Sequence, residues 1–81
     1  MCSYLTERTS VTGSGKGAKG WFRLGTACVS FDHPFHAPLE RTLNIDFIDE
    51  AAGPEARVAV ELSPDSARAL MRCIQSALEA G

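Results

Sequence analysis

A chain of 81 residues with a net charge of −2 has the length of one small domain, residues 1–81, and room for a modest hydrophobic core. Acidic and basic residues are mixed along the chain without a basic stripe, which argues against nucleic acid as a partner. No apolar run approaches the roughly 20 residues that cross a bilayer, and the first ten residues lack the apolar region of a secretory signal. We therefore expect a cytoplasmic protein that does not bind membranes.

The number and spacing of the cysteines support the same location. Cys2, Cys28 and Cys73 are odd in number and far apart in sequence, which argues against a disulfide framework and fits a reducing compartment. A domain this small often gains stability by association, so we also expect a homo-oligomer, most simply a homodimer.

Two strands separated by a glycine-rich segment are predicted for the first part of the chain. Residues 3–12 combine β-branched and polar types, which is typical of an edge strand. Four of the eight residues 13–20 are glycine, which predicts a flexible loop. In the second strand, 21–32, the parity of the apolar residues changes at Gly25, and a one-residue bulge there would bring all of them to one face.

Clear alternation predicts two further strands, 41–48 and 56–62, separated by a turn that contains Gly53 and Pro54. A helix is predicted over 64–80, with Ser63 as its N-cap. The apolar residues of the helix recur at helical spacing. These residues, which we call the apolar stripe, are Ala67, Leu70, Met71, Ile74, Ala77 and Leu78.

Together these elements predict an α+β fold, in which the C-terminal helix covers one face of an antiparallel sheet of about four strands. The apolar stripe is expected to lie on the sheet face that carries Leu43, Ile45, Phe47, Val58 and Val60. The opposite face is predicted to be polar but rich in small residues: Cys28, Ser30, Asn44, Asp46, Arg57, Ala59 and Glu61. Such a face is either solvated or covered by a second copy.

The glycine-rich segment also resembles nucleotide-binding motifs. Gly15, Gly17 and Gly20 have the spacing of a dinucleotide fingerprint, but that motif requires a helix immediately afterwards, and here a strand is predicted. Two interpretations remain: a mobile hairpin loop, or a lid in which glycine amides with Lys16 and Lys19 hold an anion.

The segment 32–40, DHPFHAPLE, contains both histidines of the chain. Asp32, His33, His36 and Glu40 supply two imidazoles and two carboxylates, a composition typical of open sites for zinc or iron. The same composition also fits a structural connector whose histidines only satisfy local hydrogen bonds, or a metal-free acid–base site.

Three single residues have competing interpretations. Cys2 is a weak candidate as a soft metal ligand, or as an N-terminal nucleophile once Met1 is removed. Cys73 lies beside the apolar stripe and is expected to be a small buried hydrophobic residue. Trp21 fits either a cap on the core or an anchor at an interface.

Four stretches of the sequence, MCSYLTE, VTGSGKGAKGWF, DHPFHAPLERTLNIDF and ARVAVELSPDSARAL, resemble a family of short bacterial proteins. The family is mainly actinobacterial and is classed as a domain of unknown function. The resemblance covers nearly the whole chain and implies a stand-alone cytoplasmic protein. It implies no activity and no functional residues.

Three hypotheses for the function follow. The first is a homo-oligomer that binds a metal or another small ligand at 32–40, with His33 and His36 as ligands and Asp32 or Glu40 beside them. The second is a non-catalytic accessory module that docks a larger protein partner through the polar sheet face, an edge strand or Trp21. The third is a small enzyme that uses Cys2 or a histidine.

Overall fold

The computed structural model describes residues 6–81. Its elements are the strands β1 (Glu7–Gly17), β2 (Gly20–Asp32), β3 (Thr42–Ile48) and β4 (Arg57–Leu62), a 3-10 turn (Glu50–Ala52) and the helix α1 (Pro64–Ala80). The strands form one open antiparallel sheet in the order β1-β2-β3-β4, and α1 packs on β3 and β4. The predicted α+β fold is therefore confirmed, while residues 3–5 of the predicted first strand lie outside the described residues.

The glycine-rich segment is strand rather than flexible loop. Gly13–Gly17 continue β1 and pair with β2, and the chain reverses at Ala18 and Lys19 between the paired residues Gly17 and Gly20. Close packing explains why glycine is needed in this strand: a Cβ on Gly15 would lie 3.0 Å from Leu24 Cδ2. The prediction of a loop was wrong because these residues pair with β2, and at Gly15 and Gly17 the missing Cβ leaves room for Leu24 and Phe22.

The bulge of the first hairpin lies opposite Gly25, where the sequence suggested it, but the extra residue is in β1, between Ser10 and Gly13. A bulge increases the local twist of the strand that carries it. Leu24 nevertheless comes close to the apolar face, because the Cβ position of Gly15 is 3.0 Å from Leu24 and 3.5 Å from Val58.

The strand register gathers the apolar residues on one face of the sheet. Ala27, Val29 and Phe31 of β2 pair with Phe47, Ile45 and Leu43 of β3, which in turn pair with Val58, Val60 and Leu62 of β4. Most of these side chains are only half-buried, although Ala27 is fully buried. The core is therefore thin, as expected for a short chain.

The helix leaves much of its apolar stripe in solvent. No residue of α1 is buried, and the exposed fractions are 42% for Leu70, 68% for Met71, 51% for Ile74 and 76% for Leu78. Cys73 is also exposed, so the expectation that it is buried was wrong. α1 rests on the sheet while much of its apolar surface stays exposed.

The ends of α1 agree with the sequence prediction. The Ser63 side chain accepts a hydrogen bond from the Ser66 amide at 3.2 Å, Pro64 begins the helix, and the Gly81 amide donates to the Ala77 carbonyl. Ser63→Ala should lower the free energy of unfolding by about 1 kcal/mol, because one amide at the helix start loses its acceptor. Thermal or urea unfolding followed by circular dichroism measures this, with Ser76→Ala, in the exposed middle of α1, as the matched control. Equal stability of the two variants would contradict the assigned cap.

Candidate functional site

The loop between β2 and β3, residues 33–41, lies against the polar face of the sheet and is called here the histidine loop. Its backbone is held by one side chain of β4. The Glu61 carboxylate accepts hydrogen bonds from the amides of Phe35 at 2.6 Å, His36 at 3.2 Å and Ala37 at 2.9 Å. Three consecutive amides that converge on one carboxylate give the loop a defined position above the sheet.

These hydrogen bonds change the acidity of Glu61. The amides of Ala37 and Phe35 lower the pKa of the Glu61 carboxyl most, and the amide and charge of His36 lower it further, against a smaller opposing effect of desolvation. Glu61 is therefore a carboxylate whose ionised form the loop stabilises.

The two histidines have different environments: His36 is the middle residue of this bonded segment, and His33 lies two residues before it. The His33 amide donates to Asp32 Oδ1 at 2.7 Å, and its ring Nδ1 lies 3.1 Å from the Glu40 carbonyl oxygen. Since a carbonyl oxygen only accepts, Nδ1 is the donor in this bond, which in the neutral ring leaves Nε2 as an acceptor. The charge of the His36 ring lowers the pKa of the Glu61 carboxyl.

The predicted metal ligands do not form a ready coordination set. Within residues 6–81 no group of three or more His, Cys, Asp or Glu side chains is arranged to hold a metal ion. Asp32 is bonded to the His33 amide, and Glu40 contributes its backbone carbonyl to the loop. Cys2, the weak candidate ligand and the nucleophile of the enzyme hypothesis, lies outside the described residues.

The histidine loop and the sheet border an open cleft of about 1050 Å³, which we call the polar cleft. Both histidines and Phe35 line it from the loop side. All seven residues predicted for the polar face line it from the sheet side: Cys28, Ser30, Asn44, Asp46, Arg57, Ala59 and Glu61. The sequence prediction of this face is therefore confirmed, and the face has a concave shape that sequence periodicity does not reveal.

The charges in and beside the polar cleft are largely paired with one another. Asp46 Oδ1 accepts from Arg57 Nη2 at 2.7 Å and from Arg57 Nε at 2.8 Å. At one edge, Arg8 Nη2 lies 3.0 Å from Glu50 Oε2. Ser30 and Asn44 add neutral polar groups to the wall, and the Asn44 Oδ1 accepts from the Thr42 hydroxyl.

A comparison with protein-family models places the chain in a family. Its match covers residues 1–81, the whole sequence, with the description "Family of unknown function (DUF6295)". The chain belongs to DUF6295. No curated protein and no solved structure matches it.

For this DUF6295 member, sequence reasoning singled out the loop that borders the cleft but missed the residue that holds it. Glu61 was assigned only to the polar face, and the loop amides that it binds are 24 to 26 residues away in sequence. The sequence did place a carboxylate, Glu61, on the polar face of the sheet. A carboxylate in that position does not by itself indicate which backbone amides it binds.

Two further observations concern the surface of this DUF6295 chain. Trp21, at the start of β2, is 71% exposed, so the alternative of a core cap is wrong. Among the described residues, no helix has both the length and the apolar character that crossing a bilayer requires.

Proposed function

We propose that this DUF6295 protein binds a small organic ligand in the polar cleft. The observation that carries the proposal is the geometry of the histidine loop, which Glu61 holds over the sheet by three hydrogen bonds. Ligand sites are concave and largely formed before binding, and a loop held by a rigid sheet supplies both properties. The cleft volume of about 1050 Å³ suits a small molecule that keeps part of its surface in solvent.

The charge distribution favours an uncharged polar ligand. Asp46 is occupied by Arg57, and Glu61 is occupied by the loop amides. A ligand with a full charge would have to compete with these partners, whereas hydroxyl and amide groups suit Ser30, Asn44 and His33 Nε2. Ala59 and Ile48 supply apolar surface beside these groups.

A metal ion held by His33 and His36 is the alternative ligand for the same cleft. Two imidazoles suit zinc or iron, but a third ligand would have to come from a movement of Asp32 or Glu40, or from water. We keep it as the less supported alternative, because the described residues hold no group of three metal-binding side chains and Asp32 already accepts from the His33 amide. We also place the protein in the cytoplasm, an assignment that the odd number and wide spacing of the cysteines support.

Filling the cleft should abolish binding. Ala59 is exposed on β4 and lines the cleft, so Ala59→Trp places an indole in it, whereas Ala18→Trp places the same indole in the exposed β1–β2 turn. We expect hexoses, nucleosides or primary amides at millimolar concentration to shift the amide resonances of cleft residues in the wild type and the Ala18→Trp variant, but not in Ala59→Trp. A separate titration with Zn²⁺ and Fe²⁺ tests metal binding, with the double variant His33→Ala/His36→Ala as the control. Shifts that persist unchanged in Ala59→Trp would exclude the organic ligand site.

A second candidate function is a non-catalytic interaction module. The exposed aromatic side chains of Trp21 and Phe35 favour it, since aromatic residues are enriched at interfaces. It requires a larger protein that co-purifies with the wild type and is lost with Trp21→Ala. A wild-type protein that purifies without such a partner would contradict it.

A further inference from the structure

The apolar stripe of α1 and the apolar sheet face beneath it lack a complete cover. Four large side chains of the stripe, Leu70, Met71, Ile74 and Leu78, are between 42% and 76% exposed. The apolar residues of β3 and β4 are only half-buried. Contiguous apolar surface of this kind in a small protein indicates an interaction site.

The whole chain, with the open polar cleft included, exposes more surface than a compact monomer of its mass. A compact monomer of 8.7 kDa exposes about 4700 Å², whereas this chain exposes 6218 Å². Residues 1–5 can account for at most about 900 Å² of this surface. After this area is subtracted, the remaining surface still exceeds that of a compact chain of the remaining mass by roughly 850 Å². A standard interface buries about 800 Å² on each partner.

We propose that the occupant of this surface is a second copy of the chain, with the two α1 helices packed antiparallel across a two-fold axis near Ile74. In this arrangement Ile74 meets Ile74 of the second copy, and Leu70 meets Leu78 of the second copy. A two-fold axis makes every contact twice, so one apolar stripe covers the other along its length. The proposal concerns a different surface from the polar cleft and does not depend on ligand binding.

The charged residues beside the apolar stripe favour the antiparallel orientation of the two helices. Arg68, Arg72, Gln75 and Glu79 lie on one side of the stripe at helical spacing. In an antiparallel pair the same flank of both helices meets, which brings Arg68 beside Glu79 of the second copy, twice. A parallel pair would instead place this flank against small residues such as Ala69 and Ser66, without a charged partner.

Arg68 is available for this contact. Among residues 6–81 the ion pair given for it is a long one with Asp65 at 3.3 Å, and both side chains are largely exposed. Such pairs contribute little to stability. The guanidinium has five N–H donors, so a second carboxylate can bind without displacing the first.

Cys73 provides a reporter of the orientation, because it lies on the opposite flank and next to the proposed axis. The antiparallel pair brings Cys73 of both copies together, and its thiol is free and exposed. In a Cys2→Ser background, mild oxidation should therefore link two chains through Cys73. The double variant Cys73→Ser/Ser76→Cys moves the thiol to the side of the helix away from the axis. This variant should not form the cross-link.

Sedimentation equilibrium of the full chain tests the pairing. We expect a mass of twice 8.7 kDa for the wild type. Ile74→Glu should raise the dissociation constant by at least roughly 30-fold, as for the central residue of an interface. Ala69→Glu, on the helix side away from the stripe, should remain dimeric.

Charge exchange separates the antiparallel pair from other associations. Arg68→Glu and Glu79→Arg should each weaken the dimer, and the double variant Arg68→Glu/Glu79→Arg should restore it. Circular dichroism checks that each variant keeps its fold. A wild-type monomer at high micromolar concentration, or a dimer without the Cys73 cross-link and without charge rescue, would overturn the proposal.

Discussion

Replacing Glu61 by glutamine should release the histidine loop from the sheet while the rest of the fold persists. The glutamine side chain has nearly the same shape, but it lacks the negative charge that three amides stabilise. Its NH₂ group also brings a donor towards amides that are themselves donors. We expect faster hydrogen exchange at Phe35, His36 and Ala37, and upfield movement of their amide proton resonances.

The pH dependence of the loop follows from the same hydrogen bonds. The pKa of Glu61 in the folded protein is lower than its ordinary value of 4.5. The stabilisation that the carboxylate gives is therefore complete above about pH 4.5 and is lost as the pH falls through the lowered folded-state pKa. Between neutral pH and pH 5 the loop amides should show constant protection from exchange.

Two controls isolate Glu61 from other carboxyl groups of the region. Glu40→Gln changes an exposed carboxylate of the same loop, and it should leave the amides of Phe35 and Ala37 unchanged. In Glu61→Gln the acid-induced loss of loop protection should disappear, because the group that titrates is absent. An unchanged exchange rate at Phe35 in Glu61→Gln would show that this carboxylate does not hold the loop.

Gly53→Ala should destabilise the whole domain by about 1–3 kcal/mol, the usual cost of a backbone conformation that only glycine adopts easily. Gly53 has φ 94° and ψ −179°, and no atom lies within 4 Å of the position that a Cβ would take. Backbone strain is therefore the only cost. The glycine matters because its carbonyl accepts from the Ala56 amide at 3.2 Å, which leads the chain into β4 beside buried Ala56.

Gly13→Ala is the matched control for this prediction. Gly13 also has open space around its Cβ position, but its φ is not in the left-handed region. This substitution should be neutral or stabilise by up to about 1 kcal/mol, because alanine restricts the unfolded chain. A decrease in Tm of roughly 4 °C or more for Gly53→Ala alone is expected in a domain of this size. Equal melting of the two variants would contradict the strain argument.

The elements that the sequence predicted well are those whose signals are local. Alternation in 41–48 and 56–62 and the Ser63 cap of the helix all appear in the structure within a residue of the expected bounds. Polarity alternation depends only on the two faces of a strand, and a cap depends only on neighbouring residues. The turn at Gly53 has the same local character.

The elements that the sequence predicted poorly depend on packing between distant residues. Gly13–Gly17 were assigned to a loop from composition, yet they pair with β2, and the Cβ positions of Gly15 and Gly17 lie close to Leu24 and Phe22. The bulge was expected at Gly25 and lies opposite it, but in β1. Register is a property of both strands, and the apolar pattern of β2 alone does not decide which strand carries the extra residue.

The candidate site shows the same division. The residue types of 32–40 predicted a functional loop, and both histidines do line one cleft. The contact that shapes this cleft joins Glu61 to a segment more than 20 residues earlier, which no spacing rule anticipates. Metal binding stays a prediction, as does the actinobacterial origin that the resemblance implied.

The central claim is that the polar cleft below the histidine loop is the binding site of the protein. A fragment screen by amide-resolved NMR tests it most directly, because small fragments at millimolar concentration reveal a ligand site whose natural ligand is unidentified. We predict that uncharged polar fragments shift the resonances of Ser30, Asn44 and Ala59 together with the histidine loop, and that Ala59→Trp removes these shifts. Fragments that bind elsewhere, or no fragment that shifts these resonances, would contradict the claim.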